Sequence, residues 1–174
     1  MPEIAFRPLD AADLPLVARW METPHWRQWW GDPAVELGHI RDMVEGRDTT
    51  RPFLIEADGA PVGYIQVWRI ADNRVEPWLT EAPWLRLLPD EAVGVDLSIG
   101  PEEWLSRGLG SAALAAFVAR LRAEGQRFII IDPDPANTRA VHAYRRAGFR
   151  PIPELEGRSG DCLLMRHHSE DETE

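Results

Sequence analysis

The run Arg107-Gly108-Leu109-Gly110-Ser111 has the clearest chemical content. It follows a strand-like segment and opens an apolar, helix-like one. Glycines let backbone approach a ligand closely, and the first turn of a helix offers unpaired N–H groups to an anion. The spacing suits a pyrophosphate, with Arg107 adding charge; the competing use is tight strand–helix packing. Asp96 is a second candidate. Alternation along Gly94-Val95-Asp96-Leu97-Ser98-Ile99 puts Gly94, Asp96 and Ser98 on one face and the apolar residues on the other. Acids are depleted in strands, so this carboxylate either faces a groove or has a partner in the structure. Asn137 and Tyr144 stand seven apart and share one helical face with Val141 between them.

The elements that must hold these residues alternate. Ile4 to Pro8 reads as a strand and Asp10 to Met21 as a capped amphipathic helix. Prolines and a glycine make residues 23–33 a loop, and a helix follows from about Ala34 to Glu45. Arg51–Ala57 and Val62–Ile70 form a hairpin about Asp58-Gly59. Residues 71–91 show no clear period and read as a long loop, a common place for function. Then come a strand at Val93–Ile99, a buried helix from Gly108 to Glu124, and a β-branched strand at Phe128–Asp132. Asn137 caps a helix that stops at Gly148, and two strands close the chain, near Phe149–Glu156 and Asp161–Arg166. The order defines a mixed α/β sandwich.

Composition narrows the chemistry. All 19 basic residues of the 174 are arginine. Without lysine there is no P-loop lysine, no kinase-type lysine and no Schiff base. The 29 acids give a net charge of −10, which disfavours sequence-independent nucleic-acid binding and suits cationic partners. A single cysteine, Cys162, excludes an internal disulfide and a cysteine-based zinc site. The histidines lack metal-ligand spacing, so no metal is expected. No signal segment or membrane span is evident, and a cytoplasmic location, as monomer or homodimer, is the expectation. One domain is expected over residues 1–166, followed by an acidic, disordered tail over 167–174.

The second half resembles the GNAT superfamily of N-acetyltransferases. The likeness lies in the strand, glycine loop and long helix over 93–124, then the strand ending at Asp132, the Asn137-capped helix with Tyr144, and Ala147-Gly148-Phe149. Trp29-Trp30-Gly31, Gly63-Tyr64-Ile65-Gln66, Gly94-Val95-Asp96, Asp132-Pro133 and Arg139-Ala140 look like the aminoglycoside 6′-N-acetyltransferases. The resemblance implies a mostly antiparallel mixed sheet flanked by about four helices, with acetyl-CoA as cofactor. It also implies acetyl transfer to a primary amine of a cationic small molecule by direct attack in a ternary complex. Backbone groups of Arg107, Gly108, Leu109, Gly110 and Ser111 would hold the pyrophosphate. A main-chain N–H among Leu97, Ser98 and Ile99 would donate to the thioester oxyanion, Asn137 would bond or steer the pantetheine arm, and Arg139 would help bind the anion. Asp96 would bind and deprotonate the amine, and Tyr144 would protonate the leaving thiolate. Leu105 stands where many relatives carry glutamine or arginine, and Ser106-Arg107 where glycine and lysine are common.

All eight tryptophans lie between Trp20 and Trp104. Trp29, Trp30, Trp78 and Trp84, with Glu91, Asp96 and Asp134, could wall an acidic, aromatic cleft for a polycation; they could equally fill the core. Acylation of a hydroxylysine intermediate of siderophore synthesis, a polyamine or a peptide N-terminus is an alternative. A non-catalytic CoA-binding sensor is another.

Overall fold

A computed structural model describes residues 1–172. Its strands are β1 Ile4–Pro8, β2 Arg51–Ala57, β3 Ala60–Arg69, β4 Val93–Ile99, β5 Ile129–Ile131, β6 Phe149–Pro151 and β7 Met165–His167. Its helices are α1 Leu14–Met21, α2 Pro24–Trp30, α3 Pro33–Val44, α4 Trp78–Glu81, α5 Leu109–Ala123 and α6 Thr138–Arg146. The strands hydrogen-bond in the order β1-β2-β3-β4-β5-β7-β6. The pairs β1–β2, β2–β3, β5–β7 and β6–β7 are antiparallel, and β4–β5 is parallel.

Local chemistry accounts for most boundaries. Asp58 (φ 50°) and Gly59 (φ 80°) make the two-residue turn of the β2–β3 hairpin, whose last pair is Ala57 with Ala60. The Asp32 carboxylate accepts from Ala34 N at 2.8 Å and caps α3, with Pro33 at the first helical position. Asn137 Oδ1 accepts from Ala140 N at 3.3 Å and caps α6.

About four helices were expected and six are present among the described residues. The two additional ones lie in the presumed loops at 23–33 and 71–91. Pro24 occupies the first turn of α2, where a missing N–H costs nothing, so it starts a helix rather than interrupting one. Pro77 likewise precedes α4, and its carbonyl accepts from Glu81 N at 3.2 Å. Residues 10–13 form a capped 3-10 turn before α1: the Asp10 carboxylate accepts from Ala12 N and the Asp13 carboxylate from Asp10 N. The last strands are shorter than expected. Pro153 turns the chain after β6 into a 3-10 helix. Ser159 and Cys162 close a turn before β7, with Ser159 Oγ donating to Cys162 O at 2.8 Å. β7 takes in His167, and Glu172 lies 3.7 Å from both Arg122 and Arg166. The end of the tail, residues 173–174, lies outside the described residues.

The chain groups into two compact units. One comprises Met1–Val67 with Leu97–Ala113, the other Trp68–Asp96 with Leu114–Glu174. The first has a core of Leu9, Val17, Trp20, Met21, Trp26, Ile40, Leu54 and Tyr64. The second buries Ile70, Trp84, Leu85, Leu88, Ala92, Ile130, Leu155 and Leu164.

Candidate active site

In the first unit the glycine loop is a helix entry. Ser106 (φ 59°) and Gly108 (φ 79°) turn the chain, and the Gly108 carbonyl accepts from Ala112 N at 3.0 Å. Gly108 therefore precedes the first helical residue of α5. The N–H groups of Leu109, Gly110 and Ser111 then have no carbonyl partner within the helix. A Cβ on Gly110 would meet only Ile99 Cγ1, at an ordinary 3.9 Å. The local fold thus needs a glycine at 108 but not at 110. Arg107 is exposed, its guanidinium 5.9 Å from the Trp104 ring.

β4 supplies the other part of this unit's candidate site. The ladder with β5 covers only Val93 and Gly94, so Leu97, Ser98 and Ile99 run on beyond it. Ring atom Nε2 of His25 lies 2.7 Å from Ile99 O. Trp30 is half-buried, 5.2 Å from Trp26 and 6.0 Å from Tyr64 between ring centroids, while Trp29 stays 37% exposed.

In the second unit Asp96 is a partnered acid. Trp68 Nε1 donates to Asp96 Oδ2 at 2.9 Å, and the Asp132 carboxyl, just past β5, is hydrogen-bonded to Asp96. Two carboxyls in contact hold one proton between them, because both cannot ionise at such range. Burial, then the charge of Asp96, pushes the Asp132 carboxyl well above the ordinary carboxylate range. Burial, then Asp96 and Asp132, also raises the Tyr144 phenol. Both acids and the phenol thus stand in one electrostatic cluster. Burial and Asp132 push the Cys162 thiol up to about 12, and its Sγ donates to Ser159 O at 3.0 Å.

The remaining sequence candidates in this unit are dispersed. Trp84 is 5% exposed in the apolar core, so its ring offers little surface to a ligand. Trp78 packs half-buried against the same core, and Glu91 is exposed. The exposed Asp134 spends its carboxylate on Ala136 N at 2.8 Å. Asn137 uses Oδ1 as the α6 cap, and Arg139 is exposed. Among the described residues no group of histidine, cysteine or acid could hold a metal ion, and no helix is long and apolar enough to cross a membrane.

Residues 10–156 match the family described as "Acetyltransferase (GNAT) domain", and the chain belongs to that family. It is an acetyltransferase of the GNAT fold. The aminoglycoside N(6')-acetyltransferase type 1 of Klebsiella pneumoniae is 26% identical over 171 residues, covering 93% of this chain and 81% of that protein. The lysine N-acyltransferase MbtK of Mycobacterium sp. (strain MCS) is 28% identical over 151 residues, covering 83% of this chain and 58% of that one. The solved aminoglycoside acetyltransferase AAC(6')-Ib in complex with coenzyme A and kanamycin superposes with a TM-score of 0.81. It is 22% identical and covers 98% of this chain and 96% of that chain.

Sequence reasoning named Asp96 and Tyr144 but missed Asp132 and Trp68 as their neighbours. Asp132 was within reach of register logic. Val93 and Gly94 pair in parallel with Ile129 and Ile130, so residues 96 and 132 stand level, two residues on, facing the same way. Trp68 had a weaker signal, a glycine at 94 on the adjoining strand, whose place a Cβ could not share with the Trp68 ring.

Proposed function

We propose that this acetyltransferase uses acetyl-CoA to acetylate a primary amine of a cationic small molecule, in the first place the 6′-amine of an aminoglycoside. The observation that carries the reading is the hydrogen-bonded carboxyl pair Asp96–Asp132, electrostatically coupled to Tyr144. A monoanionic acid pair attracts an ammonium group and can take its proton. The names and bound ligands of the relatives support both partners of the reaction. The two compact units are taken to work as one acetyltransferase domain.

The residues divide the chemistry as follows. The amine arrives as an ammonium ion and gives a proton to Asp96. Its lone pair attacks the thioester carbonyl, forming the C–N bond and an oxyanion, for which main-chain N–H groups of Leu97 to Ile99 are the proposed donors. Collapse breaks the C–S bond, and the thiolate takes its proton from Tyr144. The nitrogen loses its second proton, one proton returns to Tyr144, and the turnover releases one proton overall. Tyr144 and the pair work in sequence. Once the pair has accepted the amine's proton its charge falls, the phenol is no longer held up by a neighbouring anion, and it becomes a better acid. N–H groups of Arg107 to Ser111 hold the pyrophosphate, Arg107 and Arg139 add charge, and Asn137 steers the pantetheine arm. Trp29, Trp30, Trp78, Glu91 and Asp134 are the proposed acceptor-side contacts.

A thiol-release screen over aminoglycosides, lysine and hydroxylysine derivatives, polyamines and peptides tests this directly. The reading expects CoA release to be fastest with aminoglycosides bearing a 6′-amine and absent with 6′-hydroxyl analogues. Preference for a lysine derivative would transfer the site to the chemistry of the lysine acyltransferase relative. Tight acetyl-CoA binding without release to any amine would make it a sensor.

A further inference from the structure

We propose that Trp68 is a positioning residue that decides which carboxyl of the Asp96–Asp132 pair carries the negative charge. This rests on the reading of Asp96 as the group that receives the amine. Two aspartic acids sharing one proton are chemically equivalent until something around them differs. Here burial weighs on Asp132 and its own backbone N–H partly offsets that, while Asp96 has an indole N–H, a donor that cannot accept, held 2.9 Å from its Oδ2. Such a donor binds a carboxylate more strongly than a neutral acid. Charge is drawn to Asp96, and the proton is left on Asp132.

The indole is held there by shape. Gly94 lies two residues before Asp96 on β4, and a Cβ on it would stand 2.2 Å from Trp68 Cε2 and 2.3 Å from Cζ2. The ring therefore lies against bare backbone, and the apolar core around Trp84 packs on it from the side. The N–H cannot turn away without losing that seat. Among the described residues, Tyr144 from α6 and Cys162 from the turn before β7 are titratable groups coupled to the pair. Both are raised and keep their protons, so they leave the choice of charge to the pair and its donor. Asp132, buried beside Asp96, is itself held on the protonated side. The consequence is a carboxylate already ionised and oriented before the ammonium arrives.

The test is a carboxyl 13C NMR titration of protein labelled at aspartate Cγ, with the two resonances assigned through Asp96→Asn and Asp132→Asn. In the unaltered protein at neutral pH, Asp96 should show the shift of a carboxylate and Asp132 that of an acid. The opposite assignment overturns the proposal without any variant of Trp68. Trp68→Phe keeps an aromatic ring over Gly94 and removes the N–H. It should move both resonances toward intermediate values and raise the lower apparent pKa of the pair by about one unit. The acid limb of kcat/KM should move upward by the same amount. Gly94→Ala, which displaces the ring and keeps the N–H, should act in the same direction. An unchanged Asp96 titration in a folded Trp68→Phe protein overturns the proposal. Should Asp96→Asn retain full turnover while the NMR result holds, the reading of the site fails and the charge assignment stands; the converse pattern separates the two the other way.

Discussion

Asp132 is a carboxyl kept protonated by burial and by a neighbour of its own kind, and Tyr144 feels both acids. That coupling can be read without substrate. The chain has only two tyrosines, Tyr64 and Tyr144, so phenolate formation followed at 295 nm resolves the latter once Tyr144→Phe provides the blank. At the alkaline pH where the phenol ionises, the Asp132 charge adds to that of Asp96 in holding it up, so Asp132→Asn should lower its midpoint, by about half a unit to one unit. An unchanged midpoint would place Asp132 too far away to act on Tyr144. In turnover, Tyr144→Phe should lower kcat by about 10² while acetyl-CoA Kd changes little, the signature of a group used in the transition state. Equal losses in both would make Tyr144 a binding residue. At this scale the sequence singled out candidates for chemistry, through Asp96 in an apolar strand and Tyr144 at helical spacing from Asn137. It did not show that Asp96 has partners, because a hydrogen bond between residues 36 positions apart depends on register and not on local pattern.

At the scale of the element, caps and glycines were legible and prolines were misleading. Asp58-Gly59, Asn137 and Gly148 stand where their intrinsic preferences put them, while the Asp32 cap was hidden in the segment read as a loop. Pro24 reads as a breaker in the sequence, yet a helix tolerates proline in its first turn, and Pro77 likewise precedes a helix. The tryptophans were ambiguous for a related reason: Trp84 and Trp29 look alike in sequence, yet one is core and the other 37% exposed. The glycine loop had two readings, packing or ligand approach, and the structure divides them. Gly108 adopts φ 79°, so Gly108→Ala should cost about 1 kcal/mol of stability whatever binds. Gly110 has room for a Cβ, and alanine favours a helix start more than glycine does. Gly110→Ala should therefore hold or raise Tm while weakening acetyl-CoA binding at least tenfold, measured by calorimetry. Unchanged affinity would return Gly110 to a packing role and move the pyrophosphate elsewhere.

For the whole molecule, the carboxyl proposed for the site also opposes folding. An aspartate in an unfolded chain titrates near 3.9, as a rough reference, whereas Asp132 keeps its proton to much higher pH when folded. Between those limits the folded state binds more protons than the unfolded one, so stability falls as pH rises, by up to about 1.4 kcal/mol per unit for a single proton. Arg7 and Asp13 act on the other side. The guanidinium donates to both carboxylate oxygens at 2.8 and 2.9 Å and holds Asp13 below its ordinary range. That contribution is present above the unfolded pKa and is lost as pH falls through the folded one. The two effects leave a stability maximum on the acidic side of neutrality. Asp132→Asn replaces the buried acid with a neutral amide of the same shape that can still donate to Asp96. It should raise Tm above the range where an unfolded aspartate titrates, flatten the decline there, and leave the acid limb set by Asp13 in place. Stability and activity should then move in opposite directions, with Tm up and kcat/KM down. A variant whose Tm follows the parent at every pH would show that Asp132 ionises as freely in the folded protein as in the unfolded chain, and the shared proton would have to be abandoned.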